Sequence, residues 1–237
     1  MEAPEAVSTL APEAPISRSG RSDTSSPFVT MWLHPGRTMR RISRIGAEFW
    51  GIPIAMLGSA GSVLIGFDPR HAALAEAVGL SGIPAGLFVA GVVALGAAIG
   101  VLLYGWLVAA TGSWLGGRAE SHETRAAVGW SYLPLLLTVP FGAAILLLHG
   151  PVTLGPGSAP IESGGSLLLA LGGMVQLLAG VWVLILTIGS VREVQGFRTG
   201  RTIANLVLAS IAAFVVVLLP FLLLSLLGVG LGLLLGG

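Results

Sequence analysis

The sequence predicts an all-α integral membrane protein, with five transmembrane helices and a preceding amphipathic interfacial helix. Composition is the first reason: 54% of the 237 residues are hydrophobic and 10% are charged, whereas about a quarter of an ordinary soluble domain is charged. The second is that the chain past Trp50 resolves into uncharged apolar runs, each long enough to cross a bilayer. The third is a short segment before those runs in which arginines and apolar residues separate onto opposite helical faces.

In chain order, residues 1–30 are rich in Pro, Ala, Ser and Glu and hold no apolar run of signal-peptide length, so a disordered cytoplasmic tail is expected there. The membrane domain is expected over 31–237. It begins with the interfacial segment Gly36 to Glu48. At 100° per residue Met39, Ile42, Ile45 and Phe49 fall on one side, and Arg37, Arg40, Arg41 and Arg44 on the other. That division suits a helix lying among anionic lipid headgroups, with phosphates on its arginines.

The first span is expected at about 49–67, roughly 28 Å of helix. A connection from Asp68 to Ser81 leads to the second, at about 82–111, inside an uncharged run that continues to Leu115 and so must tilt or protrude. The third, at about 126–148, contains Pro134 and Pro140 and should kink. A Gly/Pro-rich connection from His149 to Gly164 precedes the fourth span at about 165–190, and the fifth covers about 203–235.

Arginine placement orients the chain. Arg18, Arg21, Arg37, Arg40, Arg41 and Arg44 precede the first span, Arg118 and Arg125 follow the second, and Arg192, Arg198 and Arg201 follow the fourth. The opposite side has Arg70 alone. Positive charge stays inside, which predicts a cell inner or plasma membrane protein with a cytoplasmic N-terminus and the C-terminus outside. All tryptophans and tyrosines fall in the cytoplasmic half of that topology, as an aromatic layer beside the arginines. Glycine pairs four apart, at Gly82/Gly86, Gly96/Gly100, Gly112/Gly116 and Gly228/Gly232, suit close helix packing.

Chemistry is sparse. The centres of the spans hold no Asp, Glu, Arg or His, and their polar groups are Thr138, Gln176, Thr187, Asn205, Ser210 and Ser225. Such groups satisfy themselves on backbone carbonyls or on a neighbouring helix. The best cluster for acid–base or metal chemistry is Glu120, His122 and Glu123 with Ser131 beyond, but one imidazole beside two carboxylates between Arg118 and Arg125 reads better as charge balance. No catalytic residue, metal site or cofactor is therefore expected. With a net charge of +1 and no cysteine, neither nucleic-acid binding nor thiol chemistry is indicated.

The loop Gly116-Gly117-Arg118, a short charged segment and then Gly129-Trp130-Ser131-Tyr132-Leu133-Pro134 resemble the core of the Yip family of Ypt/Rab-interacting membrane proteins. Leu33 to Ile42 resembles the lead-in of bacterial members, and Arg192 to Gly200 resembles their segment between spans four and five. The resemblance implies a five-span helical fold with a cytoplasmic N-terminus. Eukaryotic relatives are associated with small GTPases, but their acidic Asp-Leu-Tyr-Gly-Pro segment is missing ahead of the spans here. All twelve basic residues are arginine, in keeping with a bacterial-type member.

The expectation is thus a non-enzymatic scaffold, or a protein that binds partners or lipids. Its partners would be anionic headgroups along Arg37, Arg40, Arg41 and Arg44, and a second copy or another membrane protein at the inner face. The inner-face candidates are Arg118, Glu120, Glu123, Arg125, Trp130, Arg192, Glu193 and Gln195, forming one polar cap in which the Arg118 loop pairs with Glu193. The alternative is a small-solute or ion permease or a channel-like subunit, whose polar path would have to use Gln176, Asn205, Thr138 and Thr187.

Overall fold

A computed structural model describes residues 26–66, 69–151 and 163–235. Arg18, Arg21, Asp68, Gly237 and most of the connection after His149 lie outside the described residues, as do the side-chain surroundings of Ser225, Gly228 and Gly232. Every regular element among the described residues is helical. A short α1 (Pro27–Thr30) leads to α2 (Pro35–Ile45) and a 3-10 turn at Glu48–Trp50, followed by α3 (Gly51–Ile65). Then come α4 (Pro69–Ala77), α5 (Gly82–Trp114) and α6 (Ser121–Ser131), a 3-10 turn at Leu133–Leu137, α7 (Thr138–His149), α8 (Ser163–Gln195) and α9 (Thr199–Leu235).

Five stretches are long and apolar enough to cross a membrane: Glu48–Ile65, Gly82–Trp114, Ser121–His149, Gly165–Gln195 and Thr199–Pro220. The protein is a multi-pass membrane protein. Large apolar side chains such as Leu95, Ile99, Leu177, Leu184 and Phe214 stay exposed on its flanks, which costs nothing where the surrounding hydrocarbon is as apolar as leucine.

Local chemistry explains the element ends. Pro35 occupies the first turn of α2, where no N–H is needed, and Gly46 closes the helix with φ 65°, a left-handed conformation that glycine tolerates. The kink predicted for the third span is a 3-10 stretch around Pro134 joining α6 to α7, and Pro140 lies in the first turn of α7. The connection expected between the first two spans contains a further helix, α4, whose Ala75 is buried in a cluster with Val63, Ala85, Val89 and Ala90.

α3 sits at the centre, packed on α5 to one side and on α6, its 3-10 turn and α7 to the other. Glycines make the second contact possible. A Cβ on Gly129 would lie 2.7 Å from the carbonyl carbon of Gly51, and one on Gly142 would strike the Gly61 carbonyl oxygen. Close approach therefore pairs Gly51 with Gly129 and Gly61 with Gly142 across two helices. Of the glycine pairs four apart, Gly96/Gly100 meets nothing within 4 Å, whereas Gly86 lies against Leu146 and Gly112 against Gln195. α8 packs on α6, α2 and α7, while α9 packs on α5 and α8.

The larger core cluster lies at the end of the bundle that carries Arg118, Arg125 and Arg192, and includes Met31, Met39, Ile42, Leu107, Trp130 and Val191. α2 belongs to this core. Its predicted apolar stripe divides: Met39 and Ile42 are fully buried against the bundle, whereas Ile45 and Phe49 are exposed.

Candidate functional site at the arginine-bearing end

The capping of α6 accounts for the paired carboxylates. Glu120 is the N-cap residue and accepts from the backbone N–H of Glu123, while the Glu123 carboxylate accepts the Glu120 N–H at 2.9 Å. This reciprocal box satisfies two donors at a helix start and places negative charge at the positive end of its dipole. His122 stands between Glu120, 3.4 Å away, and Glu48, 3.9 Å away, on the surface. Ser131 donates to the Ala127 carbonyl at 2.6 Å and is buried, so its hydroxyl is spent on its own helix.

α6 crosses α5 at Gly105. Thr124 donates to the Gly105 carbonyl at 2.7 Å, and a Cβ on Gly105 would lie 2.7 Å from the Arg125 Cα. Arg125 is half-buried, and its Nε is a buried donor without a hydrogen-bond partner in the structure. Trp130 is 1% exposed and donates its indole N–H to the Ala47 carbonyl at 3.1 Å, tying the α2–α3 link to α6. Phe28 lies against its ring at a centroid distance of 5.1 Å. Trp130 is thus an interior anchor.

Gln195, at the end of α8, is 2% exposed. Its Nε2 donates to the Val108 carbonyl at 3.2 Å, and its Oε1 accepts the Ala119 N–H at 3.4 Å. Gly112 and Gly117 flank it so closely that a Cβ on either would strike the amide. Beside it Asn205 is also buried, donating to the same Val108 carbonyl at 3.2 Å and accepting from the Thr111 hydroxyl at 2.6 Å. One carbonyl on α5 thus collects donors from α8 and α9. The Arg118 and Arg192 connections touch through this knot, since Gln195 belongs to one and Ala119 to the other.

The charges are arranged differently from the expected cap. Glu193 pairs with Arg40 of α2 and lies against Gly36, so this carboxylate joins α8 to the amphipathic helix and not to the exposed Arg118. Arg192 is exposed and its Nη1 donates to the Thr199 hydroxyl at 3.4 Å. Arginine stacking takes place on a phenylalanine: the Arg201 guanidinium stands 5.8 Å from the Phe197 ring centroid, while Trp114 is 78% exposed. Of the headgroup candidates, Arg37, Arg40 and Arg44 are exposed and Arg41 is half-buried. Arg37 and Arg41 line a 250 Å³ pocket with His34, Thr30 and Thr38.

Asn205 stands in the sequence among the six polar groups of the spans, and nothing in the sequence marks Thr111 or Tyr104 as partners of Asn205 or Ser210. Their partners sit on other helices, about a hundred positions away in the case of Tyr104 and Ser210, whose hydroxyls are 3.1 Å apart. The groups of the expected polar path lie apart: Thr138 donates to the Leu135 and Gly58 carbonyls, Thr187 donates to the Val183 carbonyl, and Gln176 lines a distinct 370 Å³ pocket with Ser59, Ser62 and His71.

The family model described as Yip1 domain matches residues 29–235. No curated protein and no solved structure matches the chain.

Proposed function

The chain belongs to the Yip1 domain family, whose match takes in nearly the whole sequence, and from that membership we propose that it is a non-enzymatic membrane scaffold holding lipid or a membrane-protein partner at its arginine-bearing end. That end and the N-terminus face the cytoplasm of a cell inner or plasma membrane in this reading, with the C-terminus outside, as the arginine distribution favours.

The observation that carries the proposal is the docking of α2. Met39 and Ile42 are buried in the bundle and Arg40 holds Glu193, while Arg37 and Arg44 point outward, so the helix presents cationic groups from a fixed platform. Near an anionic surface each such arginine contributes about 1 kcal/mol. The use of Thr138, Thr187 and Asn205 on backbone carbonyls favours the scaffold over a conduit.

The test compares binding with transport. The purified protein is expected to retain anionic phospholipid above its share of the source membrane, and less of it when Arg37, Arg40, Arg41 and Arg44 are all replaced by alanine. Reconstituted in liposomes, it should pass small solutes and ions no faster than empty vesicles. Reproducible flux together with unselective lipid retention would overturn the proposal.

A further inference from the structure

Between α8 and α9 the bundle is cleft. A groove of about 570 Å³ is walled by Val183, Leu184 and Ile188 on α8 and by Ile203, Val207 and Phe214 on α9. Its floor is formed by Tyr104, Val128 and Tyr132. Most polar groups along the groove are used inside the protein: Tyr104 donates to the Leu206 carbonyl at 3.2 Å and meets the Ser210 hydroxyl, and Thr187 bonds its own helix, which leaves the Tyr132 hydroxyl as a polar group on the floor. An apolar surface is left facing the hydrocarbon.

The α9 wall uses Ile203, Leu206, Val207, Ser210, Ile211 and Phe214, a single helical stripe. At 1.5 Å per residue that stripe runs about 16 Å. One leaflet of a bilayer is about 15 Å deep. The groove is therefore as long as one acyl chain's leaflet, and an open cleft in hydrocarbon fills with whatever restores dispersion contacts to its walls.

Its arginine-bearing end supplies the charge. Leu184 and Ile188 are followed eight and four residues on by Arg192, so the same stripe of α8 leads to an exposed guanidinium. Arg192 donates to Thr199, itself four residues before Ile203 on the α9 wall, so both walls lead toward it at the arginine-bearing end. On α6 the lining residues Val128 and Tyr132 are preceded on the same face by Arg125, with its buried, unpartnered Nε. Glu193, the nearest carboxylate in sequence, is engaged by Arg40. A second copy docked face to face about a twofold axis would oppose Arg192 to Arg192, whereas a phosphate is complementary to it.

From this combination we propose that the α8–α9 groove is a specific site for one anionic phospholipid, its acyl chain between the helices and its phosphate on Arg192. The site deepens the lipid-binding half of the function proposed above and is separate from the arginines of α2.

The full chain in nanodiscs, mostly phosphatidylcholine with a minority of phosphatidylglycerol carrying a photoactivatable acyl chain, tests it. Adducts should concentrate on Val207 and Ile211 and be sparse on Leu95 and Ile99 of the open α5 flank. Val207→Trp should remove them, whereas Leu219→Trp, exposed on the same helix but outside the lining, should not. Arg192→Gln should reduce the preference for phosphatidylglycerol over a matched phosphatidylcholine probe about tenfold, the size of one charge-assisted hydrogen bond. Even labelling of all flanks, or adducts indifferent to both Val207→Trp and headgroup, would overturn the site, as would disulfide-linked dimers formed on oxidation of Val207→Cys in the same nanodiscs. The variant lacking the four α2 arginines separates the two readings: groove labelling should persist in it even if bulk lipid retention falls.

Discussion

Gln195 illustrates how a polar residue becomes structural in a chain with so few charges. Its amide bridges the Val108 carbonyl and the Ala119 N–H in a site that Gly112 and Gly117 leave just wide enough. Gln195→Ala removes both bonds. The Val108 carbonyl keeps Asn205 as a donor, but the half-buried Ala119 N–H loses its acceptor, and since a fully buried orphan costs about 1–3 kcal/mol a loss of about 1 kcal/mol is expected. Unfolding in detergent should register a loss of that order. Gln176→Ala, in the half-buried pocket away from the arginines, should cost clearly less; equal losses would mean that the knot is not special.

At the scale of elements, the glycines that count are those where two backbones meet. Gly129→Ala puts a methyl group into the Gly51 backbone, which no rotamer can relieve, so α3 and α6 must separate. Overpacking of this kind costs about 1–3 kcal/mol. Gly96→Ala on the open flank of α5 meets nothing within 4 Å and should be neutral or stabilising by up to about 1 kcal/mol through lower backbone entropy. Thermal unfolding of the two variants side by side checks the contrast, and a cost at Gly96 equal to that at Gly129 would point to an oligomeric contact on that flank.

For the whole molecule, the proposed orientation makes a direct prediction. The chain has no cysteine, so a single introduced thiol reports without background. A cysteine at Glu120, exposed at the start of α6, should resist an impermeant maleimide added to intact cells and react after permeabilisation. A cysteine at Arg70, on the α4 side, should react from outside. Reversed labelling would invert the topology and move the α2 platform to the outer surface.

The sequence by itself determined the solvent and the class of fold. Long uncharged runs admit only helices in hydrocarbon, because each backbone donor and acceptor must find its partner within the segment, and the five apolar stretches follow from that rule. It also marked the amphipathic helix, since the opposition of Met39 and Ile42 to Arg37 and Arg44 is a matter of angle along one element. The tertiary structure decided what that helix faces: Met39 and Ile42 are buried by α8 and the core around Trp130, so protein takes the place expected for lipid along that part of the stripe, while Ile45 and Phe49 stay exposed. It likewise decided that Glu193 joins Arg40, that Asn205 meets Thr111, and that a groove opens between α8 and α9. A helical pattern fixes which way a side chain points from its own axis. Which neighbour lies in that direction depends on the order in which helices pack, and that order is set by backbone contacts such as Gly51 against Gly129, far apart in the chain.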